Sequence, residues 1–271
     1  MSPKDDKVRL GGMALQNGIL VHSFQHWAAA VRGEDGSVKL ASGQKPDLPA
    51  LLTGTPLLRG VARMAEVAYL LPVIRRRLPE ARLPMESPGM GAALVGSALL
   101  AQVIRRTRLH PAAVEAVTAG AALFPAMLAL RGSRIAGYHG AEHKAIGGYE
   151  HDGAPVDIAK EHERCGSHMV GPLIAATAVG NVFVSRLPAS RRGPARLAVG
   201  VAAMGAATEA FAWMTRHRDH PLAKAMQLPG YELQRVAATR EPSAAELEVA
   251  QTALDEVLRL EGTEMPSAAH T

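Results

Sequence analysis

The chain has 271 residues, 48% of them hydrophobic but only 4% aromatic, and a formal net charge of +5. That length suits one large domain or two small ones, and an apolar content drawn from Ala, Gly, Leu and Val suits close helix packing better than a strand-rich core. The charge sits mainly on arginines beside apolar segments without aromatic stacking partners, which favours lipid over nucleic acid as a partner; the single cysteine, Cys165, excludes an intrachain disulfide.

The opening stretch, MSPKDDKVRLGG, is polar and lacks the apolar core of a signal peptide, so the polar parts of the chain are expected in the cytoplasm. Residues 9–42 read as strands: an apolar run at 19–21, then 27–31 and 38–41 flanking Gly33-Glu34-Asp35-Gly36, a hairpin-type turn. Residues 42–49 are polar and read as a linker. Leu57, Leu58, Val61, Met64, Val67 and Ala68 then recur at helical spacing, and Arg75, Arg76 and Arg77 close that helix. It reads as an ordinary amphipathic surface helix whose basic end also suits a bilayer surface.

Four apolar segments follow at about 90–104, 112–130, 169–184 and 197–214. A full membrane span needs about 20 apolar residues. Two of the segments reach that length only by including Glu115 and Glu209. Four such segments in series, flanked by Arg, favour insertion over a buried soluble bundle. Short connectors at 105–110 and 186–196 predict two helical hairpins, with the N-terminal region, the 131–168 loop and the C-terminus on one side. At the end, Ser243-Ala244-Ala245-Glu246 is a capping-box pattern opening an amphipathic helix with Leu247, Ala250, Leu254, Val257 and Leu258 on its apolar face. The expected fold is therefore mainly α. It has an N-terminal β-hairpin region and linker (1–55), a domain of about four apolar, transmembrane-type helices (56–242), and a C-terminal helix and tail (243–271).

The chemistry gathers between the second and third apolar segments, in Tyr138-His139-Gly140-Ala141-Glu142-His143-Lys144. On a helix, His139 and His143 project from one face four residues apart and can hold one zinc-like divalent ion. Glu142 beside them matches the general base of the inverted zinc-hydrolase pattern H-x-x-E-H. The same five residues also occur by chance in a polar helix end, and Gly140 then simply terminates a turn. Further ligands are expected among Glu150, Asp157, His162 and Cys165, the last two in an H-x-x-C spacing that can present both heads to one ion. Cys165 reads equally as a small buried hydrophobe. Glu209, inside an apolar segment, either reaches the metal loop or pairs with an arginine, and Glu115 poses the same choice. His22, His26, His217 and His220 read as solvated.

With these residues in view, the chain resembles the YqhQ-like bacterial proteins, a domain of unknown function (number 1385) often labelled as predicted metal-dependent enzymes. The resemblance is carried by the opening block of residues 11–18, GGMALQNG; by the central block of residues 138–150, YHGAEHKAIGGYE; by residues 162–167, HERCGS; and by the tail containing Gln234-Arg235, Thr239-Arg240-Glu241-Pro242 and Glu248-Val249-Ala250. It implies a membrane-associated protein with a conjectured metal site and no established reaction. The chain departs from the family pattern at Met13 (glutamine), Asn17 (glutamate) and His22 (arginine), and its spacer between Glu150 and His162 is shorter, with Asp157 standing for a family glutamate.

Three readings follow. The first is a metal-dependent enzyme of the cell membrane, multi-pass and hydrolase-type, with His139, His143, His162 and Cys165 as ligands to zinc, Glu142 as base, and a lipid-linked or peptide substrate. The second is a non-catalytic membrane scaffold or assembly protein with a structural metal, having a protein partner or forming a homo-oligomer; Asn17 leans this way. The third is a lipid- or cofactor-binding helical module with Glu209 facing a polar cavity.

Overall fold

The N-terminal segment is apolar almost without interruption from Ile19 to Val21 and from Trp27 to Val31, the pattern of strands covered on both faces. In the computed structural model, which describes residues 7–86, 88–107, 109–121, 127–128 and 130–263, these residues form an antiparallel meander. Its strands β1 (Gly11–Ala14), β2 (Gly18–His22), β3 (His26–Arg32) and β4 (Val38–Gln44) pair in chain order. The register sets Met13 opposite Leu20, Val21 opposite Ala28 and Ala29 opposite Ala41. The expected turn closes β3 onto β4, with Gly36 at φ 80° where a side chain would be strained. The polar stretch read as a linker begins as strand, since β4 continues through Gln44.

Alternation sends Ala14, Ile19, Val21, Ala28 and Ala30 to one face, and Leu15, Leu20, Trp27, Ala29 and Val31 to the other. The short alanine side chains of β3 let helices approach from both sides. The second face meets Leu70, Ile74 and Leu78 at the end of α2 (Leu58–Arg77), which a short helix, α1 (Ala50–Gly54), precedes. The basic end of α2 turns back on the sheet: Arg75 donates to the Ala81 carbonyl, and Arg77 donates to the Ser42 carbonyl at 2.5 Å and lies over the Trp27 ring.

The apolar helices come next: α3 (Pro88–Ile104), α4 (Pro111–Ala121), then, beyond the site helix α5 (Arg134–His151), α6 (Val170–Val184) and α7 (Ala189–Arg216). Helices α3 and α4 form one hairpin and α6 and α7 the other. The expectation of about four spans is corrected. Among the described residues two helical stretches, Gly166–Val184 and Ala189–Arg216, are long and apolar enough to cross a membrane, and only 17% and 22% of their apolar windows are buried. The stretch Gly91–Ile104 is shorter, and the segment at 112–130 is described as helix only as far as Ala121.

Both glutamates in the apolar segments have arginine partners. Glu209 accepts from Arg59 and from the Leu57 backbone N–H, which fixes the start of α2 against α7. Glu115 sits 3.2 Å from Arg105 and 3.9 Å from Arg196. The chain closes with α8 (Pro221–Leu233), a π-helical turn (Gln234–Ala238) and α9 (Ala244–Leu260). The capping box is formed: Ser243 Oγ accepts from the Glu246 N–H, and Glu246 Oε2 accepts from the Ser243 N–H at 2.8 Å. The apolar face of α9 (Val249, Ala250, Ala253, Leu254, Val257 and Leu258) covers the first face of the sheet beside Tyr138, Ala141 and Ala145 of α5.

Candidate metal centre

Helix α5 carries the central motif, started by Ser133, whose side chain accepts from the Ala136 N–H. Most of it is buried, so four glycines and three alanines within residues 136–148 serve packing. Gly140 does not end a turn. It lies mid-helix, where the Arg240 carbonyl presses on the backbone and would collide with any Cβ. That contact brings the 238–240 segment onto α5, secured by the Arg240 N–H donating to the Ala136 carbonyl at 3.0 Å.

The contact matters because His139 donates through Nδ1 to the Ala238 carbonyl at 2.9 Å, and His143 donates through Nδ1 to the Lys160 carbonyl at 2.6 Å. A carbonyl only accepts, so both rings carry a proton on Nδ1, and Nε2 is the nitrogen left to ligate a metal. The rings lie 4.3 Å apart, and Cys165 Sγ is 3.5 Å from His139 Nε2. One ligand atom from each of His139, His143 and Cys165 fits within 4.8 Å of the others. Burial holds His143 well below the usual histidine range, reinforced by the neighbouring His139, and so keeps it neutral as a ligand must be. Burial pushes the Cys165 thiol up; a divalent cation would favour its thiolate.

Glu142 faces away from solvent toward β1. A Cβ built on Gly12 would lie 2.6 Å from the Glu142 carboxyl carbon, so strand backbone walls the carboxylate. Among the described residues its Oε2 is buried without a hydrogen-bond partner. Burial raises the carboxyl to about 7, against the lowering effect of His139.

The other candidates lie elsewhere. The His162 ring is 5.4 Å from that of His143, but Nε2 faces Glu150 Oε2 at 3.2 Å and Nδ1 accepts from the Arg164 N–H. Both nitrogens are thus occupied, and His162 does not join the cluster. Residues 162–165 form a turn, with the Cys165 N–H donating to the His162 carbonyl. Glu150 pairs with His162 and Arg164, and Asp157 is exposed in the 3-10 turn Pro155–Asp157. Asn17 is a buried clamp: it donates to the Arg32 and Glu80 carbonyls and accepts from the Arg82 N–H. Met13 packs on the face of the sheet opposite Glu142.

Sequence reasoning did not give Gln234 or His168 a role. Gln234 Oε1 accepts from the His162 N–H at 2.7 Å, and Nε2 donates to the His162 carbonyl and to Ser167 Oγ at 2.8 Å. The fully buried His168 reaches the Gln227 and His162 carbonyls. Together they hold the loop that delivers Cys165. Their partners in this loop and in α8 lie 59 to 72 positions apart, beyond any local periodicity. The signal available was the Gln234-Arg235 pair, one of the blocks that carry the family resemblance.

A family model described as a protein of unknown function (DUF1385) matches residues 123–260, more than half of the chain and all of this site except its Gly12 wall. Over 297 residues the chain is 26% identical to the uncharacterized protein YqhQ of Bacillus subtilis (strain 168), covering 93% of this chain and 92% of that one. No solved structure matches. The chain belongs to the DUF1385 family.

Proposed function

We propose that this protein is a metal-dependent, hydrolase-type enzyme of the cell membrane, with His139, His143 and Cys165 as ligands and Glu142 as general base. The observation that carries the reading is the convergence of two Nε2 lone pairs and one sulfur beside a buried carboxylate oxygen that has no partner. Two imidazoles and one sulfur suit zinc, and three protein ligands leave a coordination position open, as in catalytic rather than structural sites. A divalent ion held there supplies Lewis acidity and makes water acidic enough to lose a proton near neutrality. The protein's own part is positional and protonic. The Ala238 and Lys160 carbonyls orient the two imidazoles. Gly12 keeps Glu142 dry, and Glu142 Oε2 takes up the proton and returns it to the leaving group.

Membrane association is supported by α6 and α7, which would cross as one hairpin and return the chain to the side of the metal centre. The substrate would then be a bond presented at that surface, lipid-linked or peptide. The test is elemental analysis of detergent-purified protein. The native chain is expected to hold about one equivalent of metal, His139→Ala/His143→Ala none, and Glu142→Gln the full equivalent with turnover abolished. Absence of metal from the native protein sinks the enzyme reading. Turnover retained by Glu142→Gln, or a loss of activity in His143→Ala that only tracks its loss of folded protein, moves the site to a scaffold's structural metal.

A further inference from the structure

A second feature, independent of the metal chemistry, lies at the far end of the helical hairpins. Around the metal centre the exposed cations are largely matched: Lys7 pairs with Asp152, Arg218 with Glu163, Arg235 with Glu232 and Arg240 with Glu246. The connectors at the opposite end, residues 105–110 and 185–196, contain no acidic residue. Their arginines Arg105 and Arg196 converge on the single carboxylate of Glu115. That convergence joins the two connectors into one tip and leaves the trio with net positive charge.

Arg106, Arg186 and Arg191 are exposed there, and none has a carboxylate within ion-pair distance among the described residues. Directly behind them the surface is apolar. Phe183 is 60% exposed with the Arg186 guanidinium 5.5 Å from its ring, and Leu197 is 72% exposed. Guanidinium groups set over bare aliphatic and aromatic side chains match a phosphate layer over acyl chains. A nucleic acid would leave that apolar skirt wet and would find no run of stacking rings at the tip.

We propose that this tip binds the phosphate groups of anionic phospholipids, with Arg106, Arg186 and Arg191 as the contacting residues and Glu115 holding the two connectors together beneath them. The tip carries net positive charge, so the site prefers a net-anionic headgroup to a zwitterionic one, in which an ammonium lies beside the phosphate.

The test uses the full chain in neutral detergent, titrated with phosphatidylglycerol or phosphatidylcholine in mixed micelles and followed by melting temperature and by retained lipid in mass spectrometry. Phosphatidylglycerol is expected to stabilise the native protein and phosphatidylcholine not to. Arg106→Gln/Arg186→Gln/Arg191→Gln should weaken phosphatidylglycerol binding on the order of a hundredfold, from about fivefold per arginine. The charge-keeping Arg106→Lys/Arg186→Lys/Arg191→Lys should retain most of the effect, as should a control, Arg76→Gln/Arg131→Gln, away from the tip. Independently of any variant's folding, raising the salt concentration should erase the phosphatidylglycerol response of the native protein. Equal responses to the two lipids, a response that survives high salt, or one that survives the Gln triple substitution overturns the proposal. So does an equal shift with inorganic phosphate alone, which marks a soluble-anion site, or tighter binding of a single-stranded oligonucleotide.

Discussion

His139 and His143 show how far residue-level spacing carries. Four positions apart on one helix, they share a face by geometry alone, and the structure brings their rings to 4.3 Å. Cys165 is different, since nothing local ties it to α5. Its place depends on a turn whose backbone is gripped by Gln234 from a helix end far along the chain. His162 is held apart from Cys165's role by Glu150 on Nε2 and the Arg164 N–H on Nδ1. Gln234→Ala should leave the His162 backbone and Ser167 Oγ short of partners, costing about 1–3 kcal/mol of stability and weakening metal binding about 10–100-fold. Thermal melts and a chelator competition check both; unchanged metal affinity would show that the loop is held without it.

Spacing also misleads at His22, which reads as solvated. It lies 3.4 Å from Lys45 Nζ, whose partner Glu66 is itself buried. Burial first and Lys45 second lower the His22 pKa from 6.5 to about 4. The unfolded chain therefore takes up a proton between these values that the folded chain refuses. The stabilising contribution is complete above about pH 6.5 and is lost as pH falls toward 4, at about 3 kcal/mol over the window. In urea melts, His22→Gln should flatten the acid side of the stability profile relative to the native chain, leaving the slope contributed by other buried histidines. Parallel profiles would assign the acid sensitivity elsewhere.

At the scale of elements, caps and periodicity were legible and burial was not. The capping box at Ser243 and the apolar face of α9 stand where the sequence put them. Ser243→Ala should cost about 1 kcal/mol, read as a lower melting temperature with the metal content unchanged; no change in melting would mean that the Arg240–Glu246 pair alone fixes the start of α9. The opening segment was legible as strands, and its unbroken apolar runs fit cover on both faces. Which helices supply that cover was not legible, because one of them comes from the far end of the chain. The four apolar segments were legible as helices paired in hairpins, but hydropathy could not tell two long apolar stretches from their shorter neighbours. Nor could it tell that Glu115 and Glu209 each face arginines from other elements rather than the metal loop.

For the whole molecule, the decisive property is where apolar surface remains uncovered. Both faces of the sheet are covered by helices, whereas α6 and α7 leave Val179, Phe183, Leu197 and Val201 exposed. Carbonate extraction of membranes from expressing cells should leave the protein in the pellet, and recovery in the supernatant would remove the two-span hairpin. A hydrophobic surface of this kind was foreseeable from composition. The candidate metal centre lies at the end of this surface where Cys165 precedes the first long apolar stretch and Arg216 ends the second.

The covering of the sheet by α9 also sets an order of events during synthesis. The strands are complete by residue 44, but the helix that seals their first face begins at Ala244, 200 residues later. At about 5–20 residues per second the ribosome needs roughly 10 to 40 s to supply it. Throughout that interval the strands wait with one greasy side open, while the intervening apolar hairpins emerge. The wall that Gly12 gives Glu142 therefore becomes firm only once the carboxyl end leaves the exit tunnel. A ribosome stalled or terminated before codon 244 releases a chain that has both histidines and the cysteine, yet holds them beside an unfinished wall.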